Sequence, residues 1–274
     1  MTMIDMSAVA DVLRDVAATE ILPRWRNLAA HEVTRKTGEN AGLVTVADQA
    51  AEAALSERLR ALLAGSTVVG EEAVAADRRI LDRFTQSAPV WVIDPIDGTR
   101  RFAEGARTFD VMVGLVVEGR PVAGWIFSPV EDVFYMGHQG CGSRMIRGGK
   151  SSAITSDHGR ALEAMEGIVG TGAFVQRGYR DPKAALARFA GYGKRQCAGH
   201  NYGRLFQGTS HFLVNFSTHP WDHLPGIAIA TAAGFTAARH DGRPFDPLDR
   251  HGGILVAPSQ QSWDEIHGAL FVKP

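Results

Sequence analysis

Apolar positions recur at helical spacing in the opening segment, where Val9, Leu13, Val16 and Leu22 share one side of a stretch from Ser7 to about Leu28. The same period predicts a second helix from about Val46 to Leu63, with Leu55, Leu59 and Leu62 together and Thr45 as its N-cap. Between them, His31–Gly42 is polar and contains glycine, and is expected to be a mobile loop. The pattern then changes to short strand-length runs: Ser66–Val69, Pro89–Ile93, Asp110–Val117, Pro121–Phe127, Val133–Tyr135 and Ser143–Ile146. Glu118-Gly119-Arg120 reads as a tight hairpin. Beyond Lys150 the elements alternate: strands at Gly167–Gly170, His211–Phe216 and Ile254–Ala257, helices at Pro182–Phe189, His223–Ala233 and Ser262–Leu270. The chain thus reads as an α+β half over 1–150, with a largely antiparallel meander, and an α/β half over 151–274, the two packed as one unit.

Composition narrows the functions. The chain has 274 residues, 45% hydrophobic and 22% charged, an ordinary globular balance with room for a large core. A net charge of −1 offers no general attraction to nucleic acid or anionic membrane, so any phosphate must be held by local chemistry. No apolar run approaches the roughly 18 residues of a membrane helix, and Met1–Arg14 lacks a signal layout. Two cysteines, Cys141 and Cys197, form no disulfide framework, which fits a reducing cytoplasm.

The sharpest chemical signal is Trp91-Val-Ile-Asp94-Pro-Ile-Asp97-Gly98-Thr99, an apolar strand running into two aspartates on a turn stiffened by Pro95 and Gly98. Two carboxylates three residues apart on such a turn can converge, and the Ile96 carbonyl is left beside them. Hard cations such as Mg²⁺ take oxygen ligands of this kind. Gly70-Glu71-Glu72 also ends a strand, and Pro220-Trp221-Asp222-His223 opens a helix. Taken singly, Asp222 reads as a helix N-cap, Glu71-Glu72 as a solvated pair, and Asp-Pro-x-Asp-Gly as a structural turn. Thr45 and Asp48 read as a capping box.

Together and in this order, with Leu43-Val-Thr-x-x-Asp48, Gly170-Thr171-Gly172 and Ala233-Gly234 in support, these motifs resemble the inositol monophosphatase family over about residues 10 to 270. An Asp-x-Asp-Gly-Thr phosphatase of the haloacid dehalogenase type is a poor match, since two residues separate the aspartates here. The resemblance implies a mixed α+β and α/β fold, a layered αβαβα sandwich of the inositol monophosphatase/fructose-1,6-bisphosphatase type. It implies a lithium-sensitive phosphatase acting on a small, inositol-phosphate-like metabolite, cytoplasmic and homodimeric, with two or three Mg²⁺ in each active site. One ion would be held by Glu71, Asp94 and the Ile96 carbonyl, another by Asp94, Asp97 and Asp222, and a weaker third by Glu71 and waters. Glu72 and Thr99, with Asp48 bonded to the Thr99 hydroxyl, would orient a metal-activated water that attacks directly, and the Gly98 and Thr99 N–H groups would meet the phosphate. Substrate contacts are further expected at Asp97, Cys197, Ala198, Asn215 and Asp222.

Two positions depart from the family's inositol-cleaving members. Asn215 stands where they carry a hydroxyl-binding acid, and Gln196-Cys197-Ala198 where they carry Gly-Thr-Ala on a strand facing the substrate. Relatives also cleave histidinol phosphate, fructose 1,6-bisphosphate and 3′-phosphoadenosine 5′-phosphate. Arg100 and Arg101 read equally as solvated charges or phosphate contacts. A non-catalytic metal- or phosphate-binding relative is the alternative of a different class, against which the intact acids argue.

Overall fold

A computed structural model of the chain describes residues 4–36 and 42–271. The opening stripe folds as α1 (Met6–Val16), with the Asp5 carboxylate accepting from the Ser7 and Ala8 N–H groups, and continues through one wider turn, Ala17–Ile21. It stops well short of Leu28, because Pro23 has no N–H to continue the ladder. The polar segment after it is not a loop throughout. β1 (Val33–Arg35) pairs antiparallel with β2 (Leu43–Thr45), Val33 facing Thr45, and residues 37–41 lie outside the described residues. α2 (Val46–Leu62) begins at the expected capping box, Thr45 accepting from the Ala47 and Asp48 N–H groups while Asp48 accepts from Thr45.

Seven strands form the first sheet in sequence order: β3 (Thr67–Gly70), β4 (Val90–Asp97), β5 (Asp110–Val117), β6 (Arg120–Ser128), β7 (Val133–His138), β8 (Gly142–Arg147) and β9 (Lys150–Ile154). β3 and β4 are parallel, with α3 (Glu71–Ala76) between them in the chain, and every later neighbour is antiparallel. Short α4 (Thr99–Ala103) follows β4. The β5–β6 hairpin closes on Glu118 and Gly119, both at positive φ (51° and 72°), the two-residue turn that matches strand twist.

The second sheet runs β11 (Gly191–Gly193), β10 (Glu166–Val169), β12 (Phe212–Asn215), β14 (Ile254–Ala257), β13 (Thr236–Ala238), with the first three parallel. Its helices are α5 (Gly172–Gln176), α6 (Lys183–Leu186), α7 (Ala198–Phe206), α8 (Pro220–Ala232) and α9 (Gln260–Leu270). The helix expected over Pro182–Phe189 is only the four residues of α6. In place of the expected strand at Gln196–Ala198 stands the entrance to α7, whose Gly199, His200, Asn201 and Gly203 carry little helix propensity.

Alternation within the strands sorts the layers. Trp91, Ile93, Val111, Val113, Ala123 and Trp125 face α1 and α2 (Leu13, Leu55, Leu59), whereas Met112, Ile126 and Tyr135 face the opposite way, onto Tyr202 of α7 and Ile227 of α8. Those two helices are covered in turn by Ile168, Leu213 and Val256 of the second sheet, whose other face, Val169, Phe212 and Val214, buries Phe174, Leu186 and Trp263. The result is the five-layer αβαβα sandwich, and α7 and α8 are its middle layer. α8 sinks deeply onto the first sheet, the Pro225 backbone resting on Gly114 and Gly124; a Cβ at Gly124 would collide with it and one at Gly114 would be tightly pressed. That depth carries the first turn of α8 down to the edge where β4 ends.

Candidate active site

β4 is buried from end to end, so its apolar run delivers Asp94 and Asp97 below the surface. Pro95 cannot donate to the ladder, and the pairing with β5 shifts between Asp94 and Asp97. Gly98 then takes φ 94°, a left-handed conformation open to glycine, and starts α4. Asp222 sits in the first turn of α8, where the helix dipole favours a negative charge. His219, not Asp222, is the N-cap, which leaves the Asp222 carboxylate free to turn toward β4. Asp94, Asp97 and Asp222 each bring one oxygen within 4.8 Å of the others. Asp94 Oδ1 is buried and has no hydrogen-bond partner among the described residues.

The ends of parallel β3 and β4 open on the same edge, so Glu71 and Glu72 at the start of α3 join this group. Lys36 Nζ lies 2.8 Å from Glu71 Oε1 and 2.7 Å from Glu72 Oε1, its side chain only 7% exposed. The Thr99 hydroxyl stands 3.0 Å from Asp48 Oδ1 and 3.1 Å from the Ile96 carbonyl, so Asp48 closes its capping box and reaches Thr99 at once. Asp97 is fixed from the far side, Oδ1 accepting from the Ala198 N–H at 3.1 Å and Oδ2 from the Gly199 N–H at 2.6 Å.

Other expected contacts fall differently. Cys197 caps α7 with its thiol turned inward, 3.7 Å from Asp110 Oδ2, and Gly98 packs beneath it. The cluster Asp97, Asp110 and Cys197 is therefore a support for Asp97, since a thiol does not suit a hard cation. Asn215, expected to face substrate hydroxyls, is buried: its Oδ1 accepts from the Ser217 N–H at 3.2 Å and its Nδ2 lies 3.1 Å from His223 Nε2. Strand β12 ends there and turns the amide inward against α8. Arg101 bonds Thr108 at 2.8 Å, while Arg100 is exposed.

Three neighbours escaped the sequence reading. Lys36 lay in the presumed loop, and nothing local marks it. Glu52 on α2 accepts from the Glu72 and Ala73 N–H groups, at 2.8 Å each. Arg195 reaches over Gly170, and partial burial of its guanidinium lowers its pKa against the pull of Asp222 and then Asp97.

Crowding of buried acids moves their titration. Burial, then repulsion by Glu71, Asp97 and Asp222, pushes Asp94 well above the carboxylate range. Burial and then Asp97 do the same to Asp222. Burial and Glu71 take Glu72 to about 8 against the pull of Lys36, and burial takes Glu52 and Asp110 to about 7.

A model described as the inositol monophosphatase family matches residues 5–273. The inositol-1-monophosphatase of Bacillus subtilis is 25% identical over 268 residues, covering 92% of this chain and 94% of that protein. Inositol monophosphatase 1 of Rattus norvegicus is 35% identical over 240 residues, covering 85% of this chain and 83% of its own. Among solved structures, an IMPase of Thermotoga maritima superposes with a TM-score of 0.74 at 23% identity, over 94% of this chain and 93% of that one.

The raised carboxylate values yield a signed expectation for the protein in EDTA. A carboxyl with a raised folded value stabilises the fold when protonated, and that contribution is lost as pH climbs through the folded value. Half-buried His219 and buried His240, lowered by desolvation to about 4, act oppositely, but only below their ordinary 6.5. Between pH 6.5 and about 8, where Glu52, Asp110 and Glu72 titrate, the melting temperature should therefore fall. Thermal melts at constant ionic strength read this directly, and a flat or rising profile would contradict the burial of these acids.

Proposed function

The chain belongs to the inositol monophosphatase family, whose members are phosphatases, and from that premise we propose that it hydrolyses a small phosphorylated metabolite with Mg²⁺ as its cofactor. The observation that carries the metal reading is Asp94 Oδ1, buried without a hydrogen-bond partner among the described residues and beside Asp97 and Asp222. An all-oxygen donor set suits a hard cation. Glu71, Asp94 and the Ile96 carbonyl would hold one ion and Asp94, Asp97 and Asp222 a second, with a third leaning on Glu71. When bound, such ions neutralise the ester's charge and acidify water.

The chain's own groups do the rest of the work in this reading. Thr99, held by Asp48, and Glu72, held by Lys36, would orient the attacking water, and the Glu72 carboxylate would take its proton. The Gly98 and Thr99 N–H groups would meet a phosphate oxygen. Ala198 and Gly199 keep Asp97 turned to the site. Residues 1–150 supply Glu71, Asp94 and Asp97, and residues 151–274 supply Asp222 and the substrate wall. Ala198 would line that wall in this reading, with Cys197 behind it supporting Asp97 and Asn215 acting through His223 and Ser217. Lithium sensitivity, a cytoplasmic location and a homodimer belong to the same proposal. Among the described residues no helix is long and apolar enough to cross a membrane.

Arg195 favours one group of substrates. A guanidinium within electrostatic reach of Asp222 and Asp97 would suit an ester with a second anionic group, such as 3′-phosphoadenosine 5′-phosphate, and disfavour the ammonium of histidinol phosphate.

p-Nitrophenyl phosphate turnover should need Mg²⁺ and vanish in excess EDTA. Asp94→Asn, at the residue shared by both ions, should lower kcat/KM by about 1000-fold or more, some 4 kcal/mol, and by more than Asp222→Asn does. Full activity in EDTA after metal stripping, or near-normal kcat for Asp94→Asn at saturating Mg²⁺, would defeat the proposal. Arg195→Gln should cut kcat/KM for a bisphosphate about tenfold relative to p-nitrophenyl phosphate. An unchanged ratio places Arg195 outside the substrate's reach.

A further inference from the structure

α2 carries two buried acids one turn apart, Asp48 and Glu52, on the face that meets the site. Asp48 reaches Thr99 at 3.0 Å and so ties the Asp94–Thr99 turn to this helix. Glu52 reaches the other acidic element, its two oxygens accepting from the Glu72 and Ala73 N–H groups at 2.8 Å each. Those N–H groups are among the unsatisfied donors that open any helix, here α3. A residue at the N-cap usually satisfies them with its own side chain. The N-cap of α3 is Gly70, which has none, and a Cβ there would stand 2.5 Å from both Glu52 oxygens. Gly70 is thus the space that admits the Glu52 carboxylate. The cap comes from 20 residues away, from the helix that also holds Thr99.

We propose that Glu52 is a positioning residue: together with Asp48 it makes one face of α2 a ruler that fixes the Glu71-Glu72 pair against the Asp94–Thr99 turn, and so sets how tightly the site holds divalent cations. The inference rests on the reading that these acids bind cations. A cap that served stability alone could have been local, from serine or aspartate at position 70. A remote cap couples the placement of Glu71 and Glu72 to that of Asp94. Removing it lets α3 shift relative to β4 and misplaces the Glu71 carboxylate, while leaving every ligand-type side chain in the chain.

The test uses the full-length protein and Mn²⁺ as the probe cation. Glu52→Gln keeps the volume but turns an amide NH₂ toward an N–H donor. Glu52→Asp keeps the charge and draws it back by one methylene. Glu57→Gln, exposed on the same helix, is the control. Calorimetric titration of the metal-stripped proteins should show Mn²⁺ binding weakened about 10- to 100-fold in Glu52→Gln, as for other groups that orient ligands, less in Glu52→Asp, and not in Glu57→Gln. The Mg²⁺ concentration for half-maximal turnover should rise by the same factor. Gly70→Ala should weaken Mn²⁺ in the wild type but add little to Glu52→Gln, because the two changes remove one arrangement. Mn²⁺ affinity unchanged within about twofold, beside a lowered melting temperature, would make Glu52 a helix cap and nothing more. Wild-type protein that binds no Mn²⁺ would overturn the parent reading and this inference with it, whereas intact wild-type binding that Glu52→Gln leaves unaltered overturns this inference alone.

Discussion

Three carboxylates crowded below the surface repel one another, and the surrounding structure can be understood as what that crowding requires. With oxygens of Asp94, Asp97 and Asp222 within 4.8 Å, each charged pair costs roughly 3 kcal/mol even at an effective dielectric of about 20, besides the loss of hydration. Side chains left to themselves would swing apart. They are held by backbone that has little freedom: a fully buried strand broken by Pro95, a left-handed Gly98, and a helix sunk onto Gly114 and Gly124. Two N–H groups at the start of α7 grip Asp97. Protonation, a lysine or cations can relieve the repulsion. Lys36 relieves it at Glu71 and Glu72, and Asp94 Oδ1 is left for something else.

What could be read from the chain before its fold was known follows from how local each feature is. The Asp94–Thr99 turn, the Thr45–Asp48 capping box and the Glu118–Gly119 hairpin are each specified by a handful of consecutive residues, and each forms as expected. The strands of the first sheet were legible because a meander pairs neighbours in the chain. α7 was not, since Gly199, His200, Asn201 and Gly203 form a helix only between two sheets that bury it. The apolar period alone predicts a helix reaching Leu28, but Pro23 ends it at Ile21.

Within the site the same division holds. Glu71, Asp94, Asp97 and Asp222 stand out because acids beside glycine and proline at strand ends are unusual locally. Lys36 and Glu52 are an ordinary lysine and an ordinary helical glutamate, and their partners lie 35 and 20 residues away. The position of Asn215 in the chain does not fix the direction of its side chain. The side chain packs on His223, and His223 is bound by Tyr202. In the proposed reading, substrate choice would fall to groups whose aim depends on tertiary packing, Arg195 among them.

The central claim is that the Asp94, Asp97 and Asp222 carboxylates exist to hold cations. Crystals grown with Mn²⁺ and measured for anomalous scattering test it without reference to any substrate. The account predicts two or three anomalous peaks in this cluster, one of them within about 2.3 Å of Asp94 Oδ1 and shared with Asp97 or Asp222. Crystals at saturating Mn²⁺ with no peak in the cluster, or with Asp94 bonded to protein alone, would contradict it.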